Sequence, residues 1–372
     1  METSPAFREF ACADCEETFE PHEIELRCPA CGGLLVARYD HDARTEPTRP
    51  PLPLARERLH SLDEGGTPAT DCPTLADEIG ADRLLLKDEG RNPTGAVTDR
   101  GLAVAVSAGA AVGADAVSLP TTGNGGQSAA AYAGRAGVAS HSYVPSRCPF
   151  VNKAMINVHG GEMNVVEGRY PDALAAYEDS DAERFPVGPS SPYRRAGVKG
   201  LGYELLTGPA PSAIVVPTGH GIVLAAIHAA IEELREAGTL DVTPRLYAAQ
   251  PAGCAPVVDA CGTADAVAAT EQPDTIVGPL EVPDPAVGSL AVAAVDETGG
   301  RGVAVSDSDA LQAAVDAAGT AGVELSATGG VALAGARELA AEFDEGTVAL
   351  VNPVAGSKED DLLRSHLMSQ GI

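Results

Sequence analysis

A chain of 372 residues is long enough for one large or two medium domains with a sizeable buried core. Its 53 acidic against 25 basic side chains leave a formal charge of -28, with four lysines, Lys87, Lys153, Lys199 and Lys358. That balance argues against a nucleic-acid partner, because a phosphate backbone would be repelled. Acid excess, scarce lysine and the lack of tryptophan point to a halophilic protein, soluble at high salt where repulsion between surface carboxylates is screened. No run approaches the roughly 20 apolar residues that span a bilayer, so no membrane partner is expected. The N-terminus carries no charged-then-apolar export pattern, and the expected location is the cytoplasm.

In chain order, Cys12 and Cys15 form one C-x-x-C pair and Cys28 and Cys31 another, with twelve residues between them and Gly32-Gly33 after the second. This spacing predicts a zinc ribbon over residues 1–40, each pair turning two sulfurs toward one ion. Four thiolates leave no open coordination position, so the expected Zn²⁺ is structural. Glu16 stands where the first pair would be better served by glycine. Residues 41–66, with Pro47, Pro50, Pro51 and Pro53, read as a surface linker.

From Gly66 onward short apolar strands alternate with alanine-rich helices. Strands are predicted at 84–87, 116–119, 142–144, 163–166, 213–217, 246–250, 303–306 and 348–352, and helices at 102–112, 127–136, 170–177, 222–237, 307–318 and 329–343. Such alternation predicts an α/β fold with parallel sheets covered on both faces and ligands at the carboxyl ends of strands.

Two strand-to-helix segments carry the chemistry. The first, Asn92-Pro93-Thr94-Gly95-Ala96-Val97-Thr98-Asp99-Arg100-Gly101, resembles the lysine loop N-P-T-G-S-F-K-D-R-G of threonine synthases and their fold-type-II, pyridoxal-phosphate (PLP) relatives. The second, Thr121-Thr122-Gly123-Asn124-Gly125-Gly126-Gln127-Ser128, resembles that family's S-T-G-N-A-G-Q-S substrate loop. Together with the ribbon, Asn157-Val158-His159-Gly160-Gly161 and Ser191-Pro192-Tyr193-Arg194, they liken nearly the whole chain to the archaeal threonine synthase family, whose fold is related to the tryptophan synthase beta subunit. The resemblance implies two doubly wound, three-layer parallel-sheet domains beside the zinc ribbon: a large one over 67–100 and 167–372, and a small inserted one over 101–166. It also implies a homodimer, PLP as cofactor, and lyase chemistry on phosphohomoserine in amino-acid biosynthesis.

The resemblance further implies roles for single residues. Asn124 would hold the ring hydroxyl of the cofactor, and Thr121, Thr122, Gly123 and Gln127 would form the substrate loop, with backbone N–H groups at a helix N-terminus receiving a carboxylate. Gly219, His220 and Gly221 occupy the place of the glycine-rich phosphate cup, which His220 and Ile222 are expected to fill in part. Pro353 stands where a hydroxyl residue contacts the pyridine nitrogen, and it has no donor. Thr98 stands at the lysine that carries the cofactor as a Schiff base, a bond that a hydroxyl cannot form. Substitution at three separate cofactor positions, beside an intact scaffold, points to a divergent, catalytically degenerate paralogue, a pseudoenzyme keeping a small-molecule or regulatory role. The alternative is an active PLP-dependent lyase using another amine, Lys87 being the nearest in sequence.

Overall fold

The computed structural model describes residues 1–371 apart from 22–25, 41, 42, 44, 45, 47, 344 and 345. Part of the predicted linker, Pro47 included, lies outside the described residues. The strands are β1 Phe7–Cys12, β2 Thr18–Phe19, β3 Leu35–Tyr39, β4 Ala69–Asp71, β5 Arg83–Asp88, β6 Ala116–Pro120, β7 Ala139–Pro145, β8 Glu162–Val166, β9 Phe185–Pro186, β10 Ala213–Pro217, β11 Arg245–Pro251, β12 Gly302–Val305 and β13 Thr347–Asn352. The helices are α1 Pro73–Ile79, α2 Thr98–Ala111, α3 Asn124–Ala136, α4 Phe150–Val158, α5 Tyr170–Glu178, α6 Pro192–Leu206, α7 Ile222–Glu236, α8 Pro256–Ala260, α9 Gly288–Glu297, α10 Asp307–Asp316, α11 Ala327–Glu338 and α12 Asp360–Ser369.

The chain divides into two compact units, one of residues Met1–Gly65, Thr98–Glu204 and Ala229–Thr239, the other of Gly66–Val97, Leu205–His228 and Leu240–Ile372. In the first unit β8-β7-β6-β9 form a four-stranded parallel sheet, and β2-β1-β3 form a small antiparallel sheet carrying the cysteine pairs. One apolar cluster joins the two: Phe10 and Leu35 of the small sheet pack with Leu102 of α2, Tyr132 of α3 and Tyr193 of α6. Each such side chain removed from water contributes about 1.5 to 3 kcal/mol. The second unit holds the sheet β12-β11-β10-β13-β5-β4, parallel except for β4 at its edge. Strand β10 is buried on both faces, and it and β5 read as continuous apolar runs, which is how Ile214-Val215-Val216 and Leu84-Leu85-Leu86 stand out in the sequence.

All eight predicted strands form, some with added terminal residues, and the six predicted helices form with shifted ends. The predicted helix 329–343 stops at Glu338 and gives way to a 3₁₀ turn, because Phe343 turns extended and sets its ring edge-on to Tyr247 at 5.9 Å. The predicted domain division differs from the observed one. Residues 167–204, expected in the large domain, belong to the first unit: Phe185 pairs with Val117 in its sheet, and Tyr177 packs on Tyr143 at 5.5 Å. The segment predicted as the ribbon and the described part of the linker through Gly65 join the same unit.

A buried ionic cluster ties α6 to α7 within the first unit. Lys199 Nζ lies 2.5 Å from Glu233 Oε1 and 3.9 Å from the centre of the Tyr39 ring, and the Tyr203 hydroxyl donates to Glu233 Oε2 at 2.7 Å. Glu233→Ala strands the Lys199 charge and is expected to lower unfolding stability by about 3 to 5 kcal/mol, whereas Lys199→Met with Glu233→Leu is expected to recover most of it. Urea unfolding of the full chain checks both.

Candidate functional site

The four cysteine sulfurs lie within 4.8 Å of one another, with Cys12–Cys31 at 3.4 Å, Cys15–Cys28 at 3.6 Å and Cys15–Cys31 at 3.4 Å. A tetrahedral Zn²⁺ with bonds of about 2.3 Å sets sulfurs about 3.8 Å apart, so the donor set fits the ion. The thiols perturb one another. Burial alone would raise Cys12, but the N–H groups of Cys15 and Asp14 and the Cys31 sulfur draw it down to about 7. The Gly33 N–H favours the Cys31 thiolate, yet the Cys12 and Cys15 sulfurs push it up to about 12. Both knuckles end in left-handed backbone: Gly32 at φ 78° and Glu16 at φ 62°. Gly33 is required by proximity, since a methyl there would stand 2.7 Å from the Cys12 sulfur.

Thr98 opens α2, and its hydroxyl is 2.7 Å from that of Ser128 on α3. Ser128 Oγ lies 3.2 Å from the Asn124 carbonyl and donates to it, so Thr98 is the donor to Ser128. Beside it, Arg100 makes two bonds to Glu204, at 2.7 and 2.8 Å. The substrate-loop residues form one turn at the carboxyl end of β6. The Thr121 hydroxyl accepts from the Gly123 N–H at 3.1 Å, and Gly123 (φ 140°) lies so close to Asn152 and Cys148 that a β-carbon would meet them at 2.7 and 2.9 Å. Asn124 and Gly125 then open α3, where the first N–H groups have no intrahelical acceptor. Asn124 Oδ1 is buried without a partner, as is Asn152 Oδ1. Gln127 Nε2 stands 3.5 Å from His159 Nε2.

Sequence reading gave Arg194 no separate role. Its guanidinium is buried in the first unit, is pushed down to about 10 by that burial, and bonds the Val187 carbonyl at 3.4 Å, with no carboxylate partner among the described residues. Its Nη2 lies 3.3 Å from the point a Gly125 β-carbon would occupy, at the positive end of the α3 dipole. A guanidinium and open N–H groups at one turn can receive an anion. The Pro192-Tyr193-Arg194 tripeptide was the available signal.

In the second unit, the expected phosphate cup and Pro353 follow the neighbouring strands β10 and β13, and the loop 89–97 follows the next strand, β5. Gly219 and Gly221 face the chain that follows: β-carbons there would meet the Pro279 carbonyl at 3.0 Å, and Val287 and Ala291 at 2.9 and 2.7 Å. His220 turns the same way, its Nδ1 3.5 Å from the Ala286 N–H and its carbonyl accepting from Val287. The close packing around these glycines thus comes from residues 279–291. The Pro353 carbonyl accepts from Val97, and Ala355 donates to the Gly95 carbonyl, so the two loops are stitched strand to strand. A further network runs from Ser326, which caps α11, to Asn352 Oδ1 at 3.2 Å. Glu359, buried and raised by that burial, takes the Thr328 N–H and hydroxyl at 2.8 Å each.

Each lysine amine has a bonded place. Lys87 donates to the Thr67 carbonyl at 2.5 Å, Lys153 to Ser146 at 2.9 Å, Lys199 to Glu233, and Lys358 to the Thr94 carbonyl at 2.9 Å. Lys358 therefore touches the Asn92–Gly101 segment, a contact that its position near the C-terminus hid.

A family model for pyridoxal-phosphate dependent enzymes matches residues 60–353. The threonine synthase of Methanosarcina acetivorans is 30% identical over 348 residues, covering 88% of this chain and 86% of that protein. The threonine synthase of Mycobacterium tuberculosis strain H37Rv is 33% identical over 296 residues, covering 78% and 79%. Serine racemase from Dictyostelium discoideum superposes with a TM-score of 0.66 over 78% of this chain and 92% of that one, at 19% identity, which shows the shared fold. The chain belongs to the pyridoxal-phosphate dependent enzymes of fold type II, as a threonine-synthase-like member. PLP is that family's cofactor. Against this donor set, the orphaned Asn124 Oδ1 is compatible with a ring hydroxyl. Pro353 offers a pyridine nitrogen no side-chain donor, and Thr98 offers no amine, so the residues that the resemblance places at the cofactor do not fit a covalently held one.

Cys28→Ser is expected to abolish zinc retention, read by metal analysis of protein prepared without chelators. Glu16→Gly removes a left-handed conformation from a side-chain-bearing residue and is expected to stabilise the full chain by about 1 kcal/mol, read from the urea midpoint.

Proposed function

We propose that this chain is a catalytically degenerate threonine-synthase-like protein that holds no covalent cofactor and retains an anion-binding role for a small molecule. The observation that carries this reading is Thr98, whose hydroxyl is committed to Ser128 while all four lysine amines are committed elsewhere. The amine in that family also moves protons between substrate carbons, and without it the expected loss of activity is many orders of magnitude. The retained role is supported by the buried Arg194 guanidinium beside the α3 N-terminus and by the unpartnered Asn124 oxygen. In this reading the four cysteines hold a structural zinc ion, the protein is a cytoplasmic homodimer, and the charge of -28 suits it to high salt.

One observation favours the second reading, an active PLP-dependent lyase using another amine: Lys358 reaches the Thr94 carbonyl inside the lysine loop. Lys87, nearest in sequence, is turned to Thr67 instead.

Substitution separates the two. Thr98→Lys alone is expected to give little borohydride-trapped cofactor, whereas Thr98→Lys with His220→Gly, Ile222→Gly and Pro353→Thr is expected to trap PLP at residue 98. A native protein that already traps PLP, with the adduct mapped to Lys358 or Lys87, overturns the first reading in favour of the second.

A further inference from the structure

We infer that the four-cysteine ribbon is a metal-dependent clamp on the Asn124 loop, acting through the first turn of α6. The ribbon grips that turn at two points. Arg195 Nη2 donates to the Leu35 carbonyl, and Leu35 is the residue paired with the ligand Cys12 across β1 and β3. The Tyr193 hydroxyl donates to the Pro21 carbonyl in the segment between the two cysteine pairs, and its ring packs on Phe10 at 4.9 Å. Arg195 Nη1 also bonds the Ser190 carbonyl at 2.8 Å, so one side chain spans from β3 to the turn that starts α6.

The residue between these two anchors faces the other way. Arg194 lies 3.3 Å from the β-carbon position of Gly125 at the head of α3, and its carbonyl and Cγ stand 2.6 and 2.7 Å from that of Gly101 on α2. A methyl group at Gly101 would collide outright, and one at Gly125 would be tight against Thr121 at 3.1 Å. Interiors packed this closely transmit displacement instead of absorbing it. All the residues in this path belong to the first unit.

The two states of the clamp are the metal-bound and metal-free ribbon, since a segment this small depends on its metal for a fixed fold. With metal bound, Leu35 and Pro21 hold Tyr193 and Arg195, and these fix Arg194 against Gly125. Metal loss frees both acceptors, and the buried guanidinium, which has one long bond to Val187, loses the anchors on either side of it. The loop that would receive an anion then loses its cation. Ligand affinity is thereby linked to metal occupancy, and a coupling of this kind needs such a two-state element at one end.

The test is amide hydrogen exchange by mass spectrometry on the full chain, zinc-loaded and after chelation, with zinc measured on the same samples. It rests on the zinc reading of the ribbon, and the metal measurement keeps the two separate. Zinc removal is expected to speed exchange in peptides covering 121–128 by about threefold or more, while the central strand β7 holds its rate. Arg195→Met is expected to reproduce that rise with zinc still bound, and Tyr193→Phe part of it. Faster exchange confined to the ribbon, or a rise shared equally by β7, overturns the clamp. A chain that holds no zinc as prepared sinks the zinc reading alone. The Arg195→Met comparison then decides the contact route: a rise at 121–128 upholds it, and an unchanged rate overturns it.

Discussion

At the head of α2 stands Thr98, the residue that the sequence resemblance likens to the family's lysine, and the structure gives its hydroxyl a bond of its own. Thr98 donates to Ser128 at 2.7 Å, and Ser128 donates in turn to the Asn124 carbonyl, so the first turns of α2 and α3 are joined through a short chain of hydroxyl groups. Both turns sit at the end of strand-to-helix connections of the kind on which this fold builds its ligand sites. The other residues likened to cofactor positions also have internal partners: Pro353 contributes a carbonyl to Val97, and His220 turns to Ala286.

What survives is stiffness and charge. Glycines at 101, 125 and 197 let α2, α3 and α6 approach more closely than any β-carbon would comfortably allow, and that close packing holds a buried guanidinium at the positive end of a helix. Holding Arg194 there without a carboxylate is unfavourable by itself. An anion would relieve it, which supports the proposed binding role. The ribbon adds rigidity from the other side, through Tyr193 and Arg195.

The sheets of both units were legible in the sequence because their central strands are short apolar runs between turn residues, and the turns at 92–101 and 121–128 were legible by their glycine and proline spacing. Other elements left no local signal. β9 is two residues long, too short to show a period, and is defined by its pairing to Val117, and α4 starts at Phe150 with its ring largely exposed. Residues 167–204 were assigned to the wrong unit for the same reason, since domain membership depends on tertiary pairing that sequence order conceals. In the site, Thr98 and Pro353 could be read as absences, but the partners they acquired could not. Lys358 reaches Thr94 from more than 260 positions away, a contact that only the folded chain displays.

The central claim is that no amine of this chain bonds to the family's cofactor. Its most direct test is the intact mass of the purified, unmodified protein after incubation with PLP, measured with and without borohydride. The account predicts one mass in both cases, that of the bare chain. A borohydride-dependent gain of one cofactor equivalent per chain would contradict it.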